Sequence, residues 1–229
     1  MREFCQMSKN QNQSQEITRS EHVFIGGGTG SGKSALVEVY LAGENYPYVV
    51  KIDTKGEYFE RTAAGLPPWK GLVEGEDYEV IFKLKDLERA TKNKIIYCPD
   101  YDEQEFEYYD AFFKWCYERQ NTTIWIDELM SICDNPHRIP RMLKAIYTRG
   151  RSRQTTCWAL SQRSSEIPNI ILSNTQVFFI FQMNLEADRI KLVKMTDQKE
   201  FMIKPEKYHF WFFKLGNNKP VLATLKLRE

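Results

Sequence analysis

The chain has 229 residues, of which 42% are hydrophobic and 14% aromatic, so it carries enough apolar side chains for one packed domain and is excluded from the disordered class. Its 32 basic and 31 acidic residues nearly cancel, which excludes a global basic surface and leaves any nucleic-acid contact to a local patch. The five cysteines show no C-x-x-C spacing, which disfavours a disulfide framework or a zinc site and suits a reducing compartment. No apolar run approaches the length of a membrane span, so we expect no membrane segment.

The predicted elements begin after a polar lead-in. Residues 1–20 are rich in Gln, Asn and Ser, and we expect a mobile or irregular arm there, followed by a single domain over residues 21–229. From residue 22 the pattern runs strand, glycine loop, helix, strand, and this alternation predicts an α/β fold with a mostly parallel sheet between helices. The elements of this first unit are a strand at 22–25, a glycine loop at 26–32, a helix at 33–42 and a strand at 46–53.

Strands and helices continue to alternate along the rest of the chain. The apolar run at 122–127 is typical of a strand that is buried on both faces. Two strands around 216–218 predict a closing β-hairpin. The residues that share one face of the helix predicted for 104–119 are Phe106, Tyr109, Phe113 and Cys116. The remaining predicted strands are 79–82, 94–98, 155–161 and 175–181, the remaining helices are 139–148 and 185–194, and the hairpin strands are 208–214 and 220–226.

A phosphate-binding loop follows the first strand of the domain. Residues 27–34 match G-x-x-x-x-G-K-[ST] in full, in the strand–loop–helix context that the motif requires. Glycines let successive N–H groups turn toward an anion, and the helix N-terminus adds its dipole. Lys33 is expected to reach the β- and γ-phosphates, and Ser34 to give its hydroxyl to Mg²⁺. The residues predicted to bind ATP are Gly28, Thr29, Gly30, Ser31, Gly32, Lys33, Ser34 and Ala35.

Two adjacent carboxylates end the strand predicted for 122–127. The C-terminal ends of parallel strands form the ligand-binding edge of the sheet, so we expect Asp127 and Glu128 beside the phosphate loop. Asp127 is expected to hold Mg²⁺ through water, and Glu128 to act as general base toward the attacking water. An ordinary loop start is the alternative, but the pair's position well downstream of a phosphate loop favours the catalytic interpretation. A base supplied by the chain itself favours a hydrolase over a kinase.

Further motifs accompany the phosphate loop and the acidic pair. They are D-T-K-G-E-Y at 53–58, G-R at 150–151, S-Q-R at 161–163 and N-T-Q at 174–176. Together these motifs resemble those of the HerA/FtsK superfamily of DNA-pumping ATPases, and the HerA-like branch most. The resemblance covers residues 22–195 and implies a RecA-like (ASCE) P-loop NTPase core.

The resemblance also implies roles outside the two main motifs. Gln162 matches the family's sensor glutamine, whose amide contacts the γ-phosphate or the attacking water; a surface residue after a strand is the alternative. Arg151 matches the arginine that reaches into the neighbouring subunit's ATP site, a task that suits a rigid guanidinium fork. Arg149 and Arg153 lie two residues to either side, so a solvated or DNA-facing basic run stays open. Two further matches keep alternative interpretations. Asp53 could orient Lys33 or water in the site, or have a helix-cap or loop role, and 174–176 could be a family motif or a strand lead-in.

The size of the chain narrows the implied function. It leaves no room for the barrel of cellular HerA proteins or for an appended DNA-reading domain, so the resemblance points to the small genome-packaging ATPases of viruses. The resemblance implies a translocase of double-stranded DNA that works as a homo-oligomeric ring, a pentamer or hexamer. It also implies ATP sites at the subunit interfaces and a capsid vertex or portal as a further partner. We expect it in the host cytoplasm, with virion association left open. The alternatives are a cellular HerA-like translocase in DNA processing or transfer and an ATP-dependent assembly switch. Basic stretches at 55–61 and 83–94 are candidate DNA-gripping loops, or simply charged surface.

Overall fold

The computed structural model describes residues 5–7 and 16–225, which form one continuous sheet with helices on both faces. Residues 1–4, 8–15 and 226–229 lie outside the described part, and with them most of the predicted N-terminal arm. The strands and helices in chain order are β1 Cys5–Met7, β2 Val23–Gly26, α1 Lys33–Ala42, β3 Val49–Ile52, α2 Glu57–Ala63, β4 Tyr78–Ile81, β5 Lys94–Tyr97, α3 Phe106–Arg119, β6 Thr123–Ile126, α4 Arg141–Arg149, β7 Thr156–Ser161, α5 Asn169–Ser173, β8 Val177–Ile180, α6 Glu186–Thr196, β9 His209–Lys214 and β10 Val221–Leu225.

The sheet contains ten strands in the order β1-β10-β9-β8-β2-β7-β6-β3-β5-β4. The seven strands from β8 to β4 in this order run parallel to one another. Beyond β8 the sheet continues with β9, β10 and β1, each antiparallel to the strand before it. This architecture confirms the predicted α/β fold with a mostly parallel sheet between helices and a β-hairpin at its C-terminal end. The strand β1 falls inside the predicted arm and pairs with β10 at the edge of the sheet.

Two apolar cores lie on opposite faces of the sheet. The strands alternate between them: in β2, Val23 and Ile25 face one core, and Phe24 faces the other. Helix α1 covers the first core, and helices α3, α4, α5 and α6 cover the second. Because the central strands are buried on both sides, their sequences are continuous apolar runs, which is why the sequence predicted them correctly.

Helix α2 is attached to the domain by charges and was not predicted. It buries none of its residues, so it lacks the apolar periodicity that marks a helix in a sequence. Its Glu57 instead accepts a hydrogen bond from the buried Lys51 of β3 at 2.8 Å. Its Arg61 pairs with Glu38 of α1. These contacts fix the segment that follows β3 against both the sheet and the helix that begins at the phosphate loop.

Several predicted boundaries were close, and the deviations have packing reasons. The strand predicted for 46–53 is shorter, because Tyr46 packs edge-on against Trp158 in the core without joining the sheet. In α3 the buried face consists of Tyr109, Phe112, Phe113 and Cys116, so Phe112 takes the place predicted for Phe106. The ring of Phe106 lies instead under the Arg138 guanidinium at 4.3 Å. None of the helices in the described ranges has both the length and the apolar character needed to cross a membrane.

A buried histidine makes the stability of this fold dependent on pH. His22, just before β2, is fully buried, its ring stacks on Tyr147 at 4.5 Å, and its Nδ1 accepts the Cys157 N–H at 3.1 Å. Burial, with a smaller contribution from the Arg151 charge, lowers the pKa of His22 to about 4. The folded protein therefore holds this imidazole neutral well below the pH at which it takes a proton in the unfolded chain.

We expect the free energy of unfolding to fall as the pH is lowered from about 6.5 to about 4. In this window the unfolded chain binds a proton at His22 that the folded chain excludes, and the full effect is about 3 kcal/mol. The measurement is urea unfolding across this pH range, compared with His22→Asn, whose side-chain oxygen can still accept the Cys157 N–H but does not titrate. Parallel pH curves for the two proteins would contradict the assignment.

Candidate nucleotide-binding site

The phosphate loop connects the end of β2 to the first residue of α1. Gly32 caps the helix with φ 105°, a left-handed conformation that favours glycine, and a Cβ there would lie 2.8 Å from the Leu225 side chain. Within the described ranges, the backbone N–H groups of Gly30 and of residues 32–35 donate to no acceptor. A row of unpaired N–H groups at a helix N-terminus is the arrangement that binds phosphate oxygens.

Lys33 points back into this loop. Its Nζ donates to the carbonyl oxygens of Gly27 at 2.7 Å and Gly28 at 2.9 Å. Burial lowers the pKa of Lys33 to about 8, and the nearby charges of Glu128 and Asp127 oppose that shift. The structure thus holds a desolvated ammonium group at the loop, beside the two carboxylates that the sequence predicted to meet it.

Asp127 and Glu128 follow directly after β6, and both are buried, at 5% and 6% exposure. Burial raises the pKa of Asp127 to about 6, while the Lys51 charge counteracts this shift. Lys51 is itself buried, with its Nζ 4.5 Å from the centre of the Trp125 ring. Among the described residues no donor hydrogen-bonds the Asp127 carboxylate, so its oxygens are available to another ligand.

The two oxygens of Glu128 have different surroundings. Oε2 accepts hydrogen bonds from Lys55 Nζ at 3.0 Å and from Gln162 Nε2 at 3.3 Å. Oε1 is buried and has no hydrogen-bond partner in the described part of the chain. A carboxylate that is fixed through one oxygen and open at the other can accept a proton from a water molecule held at the site.

Gln162 bridges the acidic pair and the phosphate loop. Gln162 follows β7, and β7 lies between β2 and β6 in the sheet. Gln162 therefore lies between the phosphate loop, which follows β2, and the acidic pair, which follows β6. Its Oε1 accepts the Thr29 hydroxyl at 2.8 Å while its Nε2 donates to Glu128. The continuous contact from Thr29 through Gln162 to Glu128 places the predicted sensor glutamine at the predicted base.

Lys55 contacts the acidic pair, although its sequence pattern predicted a DNA-gripping stretch. It lies in one of the candidate DNA-gripping stretches, yet its Nζ forms an ion pair with Glu128. Two other basic residues of the candidate stretches are also paired inside the chain: Arg61 with Glu38, and Lys83 with Asp100 at 2.7 Å. The available signal for Lys55 was its position directly after β3, because β3 is the neighbour of β6 in the parallel sheet.

We expect Lys55→Met to lower kcat for ATP hydrolysis about tenfold, with a smaller change in KM. Without Lys55 the buried Glu128 carboxylate loses the charged donor that fixes its Oε2, whereas the phosphate loop is untouched. Steady-state kinetics without DNA would measure this, with Lys55→Arg restoring most of the rate. Lys83→Met, which removes an exposed ion pair away from the loop, should leave kcat unchanged. A rise in KM alone would show that Lys55 acts on the nucleotide and not through Glu128.

Arg151 and the phosphate loop lie at opposite ends of the parallel strands. Arg151 is in the turn before the start of β7, and its charge contributes to the lowered pKa of His22 at the start of β2. The phosphate loop, by contrast, follows the end of β2. The side chain is exposed, as is that of Arg149, whereas the Arg153 guanidinium lies 4.5 Å from the centre of the Tyr117 ring. Arg151 is therefore not brought to the chain's own site, and a role in a neighbour's site stays a prediction.

Two other family-like motifs have structural contacts in this chain. Asp53 accepts the backbone N–H groups of Glu57 at 3.0 Å and Tyr58 at 2.7 Å, which matches the helix-cap alternative. Gln176 accepts the His22 N–H at 2.8 Å through its side chain, so the 174–176 motif ties β8 to β2 at the edge away from the phosphate loop. The Asp53 motif therefore fixes the segment that follows β3, and the 174–176 motif fixes the beginnings of β2 and β8.

The residues at the loop fit a magnesium–nucleotide complex. Mg²⁺ prefers oxygen ligands and is usually held by one or two protein groups together with phosphate oxygens and water. Asp127 offers a buried carboxylate without a hydrogen-bond donor, and Ser34 offers a hydroxyl in the first turn of α1. Among residues 16–225, no group of three or more His, Cys, Asp or Glu side chains could hold a metal ion by itself. A magnesium ion at this site would therefore need the phosphate oxygens and water as further ligands.

Comparison with solved structures places this fold among ATPases. The DNA-packaging ATPase B204 from Sulfolobus turreted icosahedral virus superposes with a TM-score of 0.72 at 14% identity, covering 92% of this chain and 100% of that chain. VirB4 of Thermoanaerobacter pseudethanolicus gives a TM-score of 0.61 at 12% identity, covering 90% of each chain. EssC (ATPases 2 and 3) from Geobacillus thermodenitrificans gives 0.60 at 14% identity, covering 91% of this chain and 40% of that one.

Sequence comparison alone finds no such relative, since no family profile and no curated protein sequence matches the chain. The resemblance deduced from the motifs is confirmed at the level of the fold, because a viral DNA-packaging ATPase and other ATPases are among the structural neighbours. The chain thus shares the fold of these ATPases over nearly its whole length.

Proposed function

We propose that this chain is an ATPase that binds ATP with Mg²⁺ at residues 28–35 and hydrolyses it with Glu128 as general base. The observation that carries this proposal is the contact from Thr29 through Gln162 to Glu128, which joins the phosphate loop to a buried carboxylate with one free oxygen. The sequence motifs, the unpaired N–H groups of the loop and the fold of the structural neighbours all support it.

Each residue has a distinct part in this proposal. The loop N–H groups and Lys33 bind the phosphates, and Lys33 then exchanges its loop carbonyl partners for phosphate oxygens. Ser34 and Asp127 would hold Mg²⁺, which supplies charge neutralisation on the transferring phosphoryl group. Glu128 Oε1 accepts the proton of the attacking water, while Lys55 and Gln162 keep the carboxylate oriented through Oε2.

We further propose that hydrolysis drives translocation of double-stranded DNA by a ring of five or six copies, with packaging of a viral genome as the task. What supports this is that the structural neighbour B204 is a DNA-packaging ATPase, with an alignment that covers 92% of this chain and 100% of that chain. In such a ring, Arg151 of one subunit would reach the ATP site of the next. The same proposal includes a capsid vertex or portal as a binding partner and the host cytoplasm as the location of the protein.

The test is ATP turnover by the purified chain with and without double-stranded DNA, together with its mass in solution in the presence of ATP and Mg²⁺. We expect turnover to be stimulated by DNA and a closed oligomer to form. Turnover without stimulation and without any ring would leave the ATPase proposal standing and reject the translocase. Binding to a nuclease in place of a capsid vertex would favour the cellular alternative, and unimpaired partner binding by a hydrolysis-dead variant would favour the assembly switch.

A further inference from the structure

An open cavity of about 430 Å³ extends along the phosphate loop. Its lining includes Gln162, the residue that contacts Glu128. It also includes Asn184 and Leu185, which follow β8, and Tyr208, which directly precedes β9. In the sheet, β8 and β9 lie on the other side of β2 from β7 and β6, the strands that precede Gln162 and the acidic pair.

The direction of a bound triphosphate follows from this layout. The γ-phosphate must lie where Gln162 and Glu128 can act on it or on the attacking water, which is the β6–β7 side of the loop. The rest of the nucleotide then extends across the loop toward β8 and β9. The Tyr208 end of the cavity is thus the part of the site that a base and ribose would reach.

Tyr208 is held as a fixed surface at that end. Its carbonyl oxygen accepts the Leu225 N–H at 2.8 Å, so the closing hairpin anchors its backbone. Its φ of 63° is a left-handed conformation that non-glycine residues rarely adopt, and such conformations persist where the surrounding structure imposes them. Its ring is 38% exposed and borders the phosphate loop, because a Cβ on Gly32 would lie 3.6 Å from its Cδ1.

The chemistry around the ring suits a nucleobase. The Lys207 ammonium lies 5.0 Å from the centre of the Tyr208 ring, and Leu185 presents a half-exposed apolar side chain. The side-chain amides of Gln182 and Asn184 are exposed and, within the described ranges, hydrogen-bond to no other residue. A flat aromatic surface, an apolar neighbour and free amides can stack a base and contact its polar edge.

We infer that Tyr208 and the residues after β8 form the base-binding part of the nucleotide site, with Tyr208 stacking against the purine. This inference rests on the proposed ATP site. It adds that the C-terminal hairpin, and not only the phosphate loop, determines which triphosphate the protein accepts. Affinity would then come from two separable parts, one for the phosphates and one for the base.

The experiment compares the binding of ATP and of inorganic tripolyphosphate, both with Mg²⁺, by calorimetry. We expect the unaltered protein to bind ATP about ten- to a hundredfold more tightly than tripolyphosphate, the range of one aromatic–base stack. Tyr208→Ala should lose most of this preference by weakening ATP binding alone, whereas Tyr208→Phe keeps the ring and the preference. Tyr101→Ala, which removes an equally aromatic but 91% exposed side chain elsewhere, should change neither affinity.

The outcomes separate the two proposals. Unchanged ATP affinity in Tyr208→Ala would overturn the assignment of the base site, as would an equal loss for ATP and tripolyphosphate, which would mean that Tyr208 only supports the loop. Failure of the unaltered protein to bind either ligand would instead reject the ATP site itself.

Discussion

Glu128→Gln is expected to lower kcat for ATP hydrolysis by on the order of a hundredfold or more while ATP binding is retained. Glutamine has the same shape and can still contact Lys55 or Gln162, but its amide cannot take a proton from water. The phosphates are bound by the loop and Lys33, which the substitution does not touch. Single-turnover hydrolysis and equilibrium binding of ATP, measured side by side, distinguish the loss of chemistry from a loss of binding.

A matched control for this substitution is available in the same domain. Glu103 is also a buried carboxylate, at 7% exposure, and it accepts the Tyr97 hydroxyl at 2.8 Å and the Leu84 N–H at 2.7 Å. Glu103→Gln should lower stability and leave kcat per folded molecule unchanged. Wild-type turnover by Glu128→Gln would mean that another group activates the water, and Glu128 would then be a structural partner of Lys55.

The sequence predicted the site residues whose positions follow from the ends of parallel strands. It did not predict the ion pair between Lys55 and Glu128, which depends on the tertiary structure. Glu128 and Gln162 each directly follow a parallel strand, and parallel strands end at one edge, so their approach to the phosphate loop could be expected. Lys55 also lies just beyond such a strand, but a lysine in a polar stretch is usually solvated. Only the folded chain shows that its ammonium group reaches the buried Glu128 carboxylate.

The same distinction explains the helices. Helices α1, α3 and α4 bury apolar residues at helical spacing, and the sequence predicted each of them. Helix α2 is held by Glu57 and Arg61 through ion pairs with Lys51 and Glu38, and charged residues carry no face in a hydrophobic pattern. Short helices of this kind depend on partners that are distant in the chain, here on β3 and α1.

Arg151→Ala is expected to lower kcat by about a thousandfold, the scale of a lost arginine finger, without loss of stability. The exposed Arg151 side chain at the far edge of the sheet cannot serve the chain's own phosphate loop, so the effect requires a neighbouring subunit. Arg149→Ala is the nearest exposed control and should be close to wild type. Arg153→Ala should instead lower stability, because it removes the guanidinium that stacks on Tyr117.

Mixing two inactive variants tests the shared site more sharply than either variant alone. In a mixed ring, an Arg151→Ala subunit still supplies Glu128, and a Glu128→Gln neighbour still supplies Arg151. Their interface then contains one complete site, and in an equal mixture roughly one quarter of the interfaces have this composition if subunits assemble at random. Recovery of activity on mixing therefore requires that each site is built from two chains. If the two variants co-assemble and stay inactive at every ratio, the proposal that Arg151 completes a neighbour's site is rejected.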